Sequence, residues 1–331
     1  MVNCASLCRH LAGMGTGQSV NSKRVFGPFR QKLKIIVAAT LVSAATALVA
    51  QAATVSVTHA GGQTDVRTNP QKTVVLDLAL LDVMNALKVP VAGVPGGRFS
   101  GALSHYGPDS VTKVGSMFEP DLDAIRALEP DLIIAGRRST KAYPAVAEIA
   151  PSINLAFDQR NLVDSVMQRT RTLASLYGKQ DVAEPLLERL NTSVKRLQTK
   201  TAKAGKGLLV FTTGGKLISQ GPDSRFGVLF NDFGVVPAMT VFPAGKGVAL
   251  TAGSLQALNP DWIYVIDRDA SLGRNALSAK QLLDDAQVEK TAAGKNGRIV
   301  YLDPYNWYML DGAGLNSLQE NVDQLLEALE R

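Results

Sequence analysis

The chain has 331 residues, 46% of them hydrophobic and 19% charged, and a formal net charge of +6. That balance excludes a disordered chain, and the length leaves room for two domains with cores of their own. Residues 1–52 hold six basic side chains (Arg9, Lys23, Arg24, Arg30, Lys32 and Lys34) and no acid. Removing those six from the 35 basic residues leaves 29, equal to the 29 acidic ones, so 53–331 is formally neutral and no nucleic-acid surface is expected there. The two cysteines, Cys4 and Cys8, and one of the three histidines, His10, also fall in the leader, which leaves no disulfide and no cysteine-ligated metal site in the body.

Ile35 to Ala50 form an apolar run directly after Arg30, Lys32 and Lys34, and Ala50-Gln51-Ala52 closes it. A positive stretch, a short apolar stretch and small residues at the cleavage point are the layout of a secretory signal peptide over 1–52. The run is shorter than the ~20 residues of a bilayer span. No cysteine lies near the cleavage point, so the product is expected in the periplasm without a lipid anchor. Translation starts at Met1 or Met14.

Strands are expected at Thr54–His59, Thr73–Leu76, Val89–Val94, Leu132–Ala135, Ile153–Phe157, Leu208–Thr212, Lys216–Ser219, Trp262–Ile266 and Arg298–Leu302. Helices are expected at Leu80–Leu87, Leu122–Leu128, Ala142–Ile149, Leu162–Leu176, Gln180–Lys203 and Leu315–Leu329. Gly214-Gly215 reads as a hairpin turn. Alternation of this kind predicts an α/β protein with mostly parallel sheets. In the helix near 180–203, Leu186, Leu187, Leu190, Val194 and Leu197 keep the spacing of one helical face, and Pro185 must sit in its first turn or kink it. It is either an ordinary surface helix or a rod between two lobes, 53–180 and 204–331, with 181–203 as the linker.

An internal echo favours two lobes. Ile125-Arg-Ala-Leu-Glu-Pro-Asp-Leu-Ile-Ile leads to Arg138, and Leu255-Gln-Ala-Leu-Asn-Pro-Asp-Trp-Ile-Tyr leads to Arg268, both over 13 residues. Each unit reads as helix, Pro-Asp turn, strand, then an arginine at the strand's carboxyl end, where ligands of open α/β sheets bind. Two Rossmann-like lobes would turn both arginines into one cleft; chance similarity of two helix–turn–strand units is the alternative.

At these residues the chain resembles the periplasmic substrate-binding proteins of ABC importers for ferric siderophores, of the class III kind whose lobes are joined by one long helix, and within them the ferric-catecholate binders. The resemblance is carried by Val57-Thr-His-Ala-Gly-Gly, Asn69-Pro-Gln-Lys-Thr-Val-Val, Val114-Gly-Ser-Met-Phe-Glu-Pro-Asp-Leu-Asp-Ala-Ile, Pro130-Asp-Leu-Ile-Ile-Ala-Gly-Arg-Arg-Ser, Ser224-Arg-Phe-Gly, Asn259-Pro-Asp-Trp-Ile-Tyr-Val-Ile-Asp-Arg and Tyr301-Leu-Asp-Pro-Tyr-Asn-Trp-Tyr. It implies a receptor, not an enzyme. No intrinsic cofactor is implied, and the partners are a ferric siderophore and an inner-membrane permease with its ATPase. A monomer is expected. The family's binding arginines fall on Arg138, Arg225 and Arg268, and its metal-reaching tyrosine on Tyr308, which packs on the ligand or gives a phenolate oxygen to siderophore-bound iron. The family's second-lobe His-Gly-Lys loop reads Pro243-Ala-Gly-Lys246 here, with Ala244 in place of the histidine and Lys246 as a further ligand contact. Of the acids that dock the permease, Asp123 holds the first-lobe position, with Glu119 beside it; the second-lobe position is Gly253.

A ferric tris-catecholate carries about three negative charges around an aromatic shell, and arginine meets such an anion with a permanent charge, several donors and little hydration to lose. Each residue also has a plainer role open to it. Arg138 and Arg268 can pair with carboxylates (Asp267 or Asp269 for Arg268), Trp307 can be core or ligand contact, Arg137 is expected to face solvent, and His59 and His105 are expected to be structural or exposed. Haem, cobalamin or a hydroxamate siderophore in the same receptor fold remains open as cargo. A hydrolase-like enzyme is the remote alternative, since no G-x-S-x-G, G-x-G-x-x-G or P-loop pattern occurs.

Overall fold

The computed structural model describes residues 53–107, 110–243 and 246–331. The signal-peptide reading over 1–52 and the Ala244 position lie outside the described residues. The chain enters through an antiparallel hairpin, β1 (Thr54–His59) and β2 (Gly62–Arg67). A parallel five-stranded sheet follows: β3 (Thr73–Val75), β4 (Gly93–Val94), β5 (Thr112–Lys113), β6 (Leu132–Ala135) and β7 (Ser152–Asn154), in the order β5-β4-β3-β6-β7. Its helices are α1 (Leu78–Ala86), α2 (Leu122–Leu128), α3 (Tyr143–Ala147) and α4 (Leu162–Tyr177). Alternate residues of its strands go to opposite cores. Val74 and Ile133 join Ile125 and Val146, whereas Val75, Leu132 and Ile134 join α1 and α4, as expected of parallel strands buried on both faces.

The long helix α5 (Gln180–Thr201) separates this sheet from a second one and buries Ala183, Leu187, Leu190, Val194, Leu197 and Thr201 at alternating steps of four and three. It begins at Gln180, so Pro185 stands past the first turn and leaves the Asp181 carbonyl without its helical donor. After it come β8 (Lys206–Thr213), β9 (Lys216–Gln220), α6 (Val228–Asn231), β10 (Val236–Pro237), β11 (Val248–Leu250), α7 (Ala252–Leu258), β12 (Trp262–Asp267), α8 (Arg268–Ser271), α9 (Ala279–Leu282), α10 (Ala286–Glu289), α11 (Ala292–Lys295), β13 (Ile299–Tyr301) and α12 (Leu315–Glu330). The second sheet is mixed, in the order β11-β9-β8-β12-β13 with β10 beside β8: β9 alone is reversed, pairing antiparallel with both β8 and β11, while β8, β10, β11, β12 and β13 run one way. Gly214 and Gly215, both at positive φ, make the β8–β9 hairpin turn.

The sequence echo is an echo of structure. α2 ends on Glu129 and α7 on Asn259, both left-handed. The proline that follows stops each helix. The next aspartate docks on the neighbouring strand: Asp131 N donates to Lys72 O and its carboxylate accepts from Gln71 N and Lys72 N, and Asp261 N donates to Lys206 O while its carboxylate accepts from Lys206 N. The two lobes are therefore built on one plan.

The last helix returns across the molecule. α12 packs on α5, α1 and α4, and Arg189 reaches Asp323 at 3.1 Å. One apolar cluster consequently runs from the first sheet through α1, α4, α5 and α12 to Leu209, Tyr264 and Trp307 of the second lobe.

Candidate functional site

Two loops of the second lobe and one of the first meet around Tyr308. The first-lobe loop follows β6. A Cβ at Gly136 would lie 2.4 Å from the buried Asp77 carboxylate, so only glycine lets the strand pass there, and Gly136 N then donates to Ser139 Oγ at 2.9 Å. This turn presents Arg137 and Arg138. Asp77 itself caps α1; burial, more than the nearby Asp311, pushes its pKa up, and Arg138 opposes the rise.

The second-lobe loop around Arg225 explains its own motif. Ser224 Oγ donates to Gly221 O at 2.7 Å, and a Cβ at Gly227 would fall 2.0 Å from Pro222 O, so the Ser-Arg-Phe-Gly loop closes only with glycine at its end. Tyr308 stands on a π-helical turn, Tyr305–Met309, and its ring stacks on Phe211.

The guanidinium groups converge from these loops. Arg225 lies over the Tyr308 ring at 4.4 Å and donates from Nη2 to Tyr308 O at 2.9 Å. Burial lowers the pKa of Arg225 and Asp311 partly restores it. Arg268 donates from Nε to the Tyr308 hydroxyl at 2.7 Å and from Nη1 to Thr213 Oγ1 at 3.1 Å, with Asp269 at 3.9 Å. Arg138 donates to Tyr308 O at 2.7 Å, to Met309 O at 2.8 Å and to Asp311 at 2.9 Å, with only 5% of its side chain exposed. A surface depression of about 540 Å³, lined by Asp158, Arg160, Asp223 and Arg225 among others, opens beside the cluster.

Of the residues expected from the sequence, Arg138, Arg225, Arg268 and Tyr308 come together here. Trp307 does not. It is fully buried with its ring edge toward Phe233, because the π-helical turn points it into the core while Tyr308 points out; it offers a ligand no surface. Arg137 does not simply face solvent, for its Nε and Nη2 both bind Asp311. Lys246 is exposed in the loop before β11 and, among the described residues, pairs with no carboxylate. Asp123 and Glu119 are exposed at the α2 end of the first lobe; Asp123 pairs with Arg126 at 2.8 Å. Gly253 occupies the same second position of α7 that Asp123 holds in α2. His59 is structural: it accepts from Gly61 N and bonds Thr64, and burial lowers its pKa, with Arg169 adding to the effect. No group of three His, Cys, Asp or Glu that would hold a metal ion occurs among the described residues. Two residues escaped the sequence reading: Asp311, at the centre of the arginines, and Arg98, which crosses from the first lobe to Ala270 O at 3.4 Å. Neither carries a local sequence signal.

Residues 74–306 match the periplasmic binding protein family. The chain belongs to that family. The petrobactin-binding protein YclQ of Bacillus subtilis is 33% identical over 272 residues, covering 81% of this chain and 85% of the relative. Its crystal structure superposes with a TM-score of 0.79 over 84% of this chain and 99% of the other. The ferric-anguibactin-binding protein FatB of Vibrio anguillarum is 30% identical over 281 residues, with 82% and 86% covered. The periplasmic catecholate-siderophore binding protein VctP of Vibrio cholerae matches with a TM-score of 0.76 at 27% identity, over 84% of this chain and 99% of that one. These family members share the two-lobed fold, and no helix among the described residues is long and apolar enough to cross a membrane.

Proposed function

We propose that this protein is the receptor of an ABC importer, capturing a ferric siderophore of the catecholate kind between its lobes and delivering it to an inner-membrane permease. It performs no chemical step. The observation that carries this reading is the pair Arg225 and Arg268 bracketing one half-buried tyrosine, the first on its ring and the second on its hydroxyl. Fixed cations beside an aromatic face suit an anion whose surface is itself aromatic. The names of the relatives, binders of petrobactin, ferric anguibactin and a catecholate siderophore, support the same cargo class. The lobes are 53–180 and 204–331, with 181–203 between them, and 1–52 is removed on export to the periplasm. Asp123 and Glu119 supply acid for the permease at the first lobe; the second lobe lacks the matching carboxylate at Gly253. Arg138 and Tyr308 complete the ligand's surroundings, with Lys246 at the rim.

Tryptophan fluorescence of the purified protein tests the reading. Ferric tris-catecholate, bis-catecholate, hydroxamate, citrate and haem are titrated in parallel. Quenching by a catecholate with a roughly micromolar or tighter constant, about −8 kcal/mol or better, is the expected result. No response to any ferric siderophore refutes it, and a response to haem or the hydroxamate alone reassigns the cargo.

A further inference from the structure

Asp311 sits where the cations are densest. Its Oδ1 accepts from Arg138 Nη2 at 2.9 Å and lies 3.3 Å from Arg225 Nη1; its Oδ2 accepts from Arg137 Nε at 3.0 Å and from Arg137 Nη2. Three guanidinium groups on two separate loops share this one carboxylate, whose side chain is 10% exposed. The backbone at Asp311 has φ of 58°, a left-handed conformation that Asp and Asn tolerate better than most residues, and Gly312 and Gly314 continue the turn at positive φ. The carboxylate is thus held in place from both its backbone and its partners.

An anion fixed among the cations of an anion-binding site cancels one charge and occupies donors. Arg137 gives two N–H groups to it, and Arg138 has its remaining bonds on the Tyr308 and Met309 carbonyls. Of the donors, Arg268 keeps Nη2 clear of these bonds, whereas Arg225 has Nη2 on the Tyr308 carbonyl, Nη1 near Asp311 and Nε buried without a partner. A like charge set against an unwanted ligand is a means of rejection as real as an attractive contact is a means of capture.

We infer that Asp311 tempers the charge selectivity of the site, lowering the advantage that its arginines give to ferric chelates with three negative charges over those of low net charge. This rests on the function proposed above. The Coulomb interaction with Asp311 grows in proportion to ligand charge, so removing that charge acts on a trianionic chelate and leaves a neutral one unaffected to first order.

The test uses the purified protein and two hexadentate probes of similar size, a ferric tris-catecholate amide with three negative charges and a neutral ferric trihydroxamate, with affinities read by fluorescence at low and physiological salt. Asp311→Asn keeps the side-chain shape and tolerates the backbone. It is expected to tighten the trianion by about tenfold or more while moving the neutral probe by less than about threefold, the difference shrinking with salt. Arg137→Gln moves the ratio the opposite way, and the double variant, which restores the net charge, returns it toward the parent value. These two proteins carry the test even if Asp311→Asn alone fails to fold. Binding of both probes with an unchanged ratio, or equal shifts of both, overturns the role of Asp311 and leaves the receptor reading intact. Binding of neither probe by any of the proteins overturns both.

Discussion

Arg138 and Arg268 occupy corresponding positions in two copies of one supersecondary unit, yet their surroundings differ. Arg138 spends its donors on its own chain: two carbonyls of the Tyr308 turn, Asp311, and the Met117 sulfur at 3.6 Å. Arg268 is 26% exposed and holds the Tyr308 hydroxyl. Arg138→Ala is therefore expected to lower stability by about 3 kcal/mol, the low end for breaking a buried ion pair, because Arg137 and Arg225 still hold Asp311. Arg268→Ala is expected to cost less than about 1 kcal/mol in stability, the scale of a partly exposed pair, and to weaken ferric-chelate binding by about tenfold. Urea denaturation and chelate titration of the two variants separate these effects; an unchanged urea midpoint for Arg138→Ala would refute the structural role given to its bonds with the Tyr308 turn and Asp311. Of the four residues gathered here, Arg138 and Arg268 stand out in the sequence through the Pro-Asp echo, and Arg225 and Tyr308 through the resemblance carried by the Ser-Arg-Phe-Gly and Trp-Tyr segments. Asp311 does not, since its partners Arg137 and Arg138 lie more than 170 residues away and only folding brings them together.

The helix α12 follows Gly314, which has no side chain to cap it. Its free N–H groups are met instead from another element: Asp82 of α1 accepts from Asn316 N at 2.8 Å and Ser317 N at 3.2 Å. The same burial that makes this contact dry pushes the Asp82 pKa up to about 7, the hydrogen bonds from α12 only partly opposing it. A carboxyl whose pKa is raised on folding binds more protons in the folded state, so its contribution is fullest below the unfolded value near 4 and is lost as pH rises toward 7. Asp82 alone accounts for a loss on the order of 4 kcal/mol across that window as an upper bound. The difference in urea stability between the parent and Asp82→Asn should therefore change steadily from pH 4 to pH 7; parallel pH profiles would exclude Asp82 as the source. At this scale the sequence was readable where an element carries its own pattern. α2 and β6 fall on their expected bounds, and α4, α5 and α12 lie within a few residues of them. β2, β5, β10 and β11 went unseen because strands this short or this polar are held by pairing with a neighbour, and the four-residue helices α8 to α11 by caps and turns that no apolar period announces.

The two lobes are separate in topology but not in core. The apolar cluster that contains Ile134 of the first sheet also contains Leu81, Leu190 and Val322 of three intervening helices, and Leu209, Tyr264 and Trp307 of the second lobe. With α12 laid across α1, α4 and α5, and Arg138 bonded to the Tyr308 turn, loosening one lobe exposes apolar surface of the other. Lobe motion on ligand capture is therefore expected to be small, and unfolding is expected to be a single cooperative transition. The placement of the tryptophans makes the second point measurable. Both Trp262 and Trp307 lie after α5, so fluorescence reports on the second lobe, whereas far-ultraviolet circular dichroism reports on the helices of both. Independent lobes would give a fluorescence midpoint displaced from the dichroism curve, and a dichroism curve in two steps. A shared core requires the two curves to coincide at every urea concentration, with one midpoint that ligand shifts as a whole.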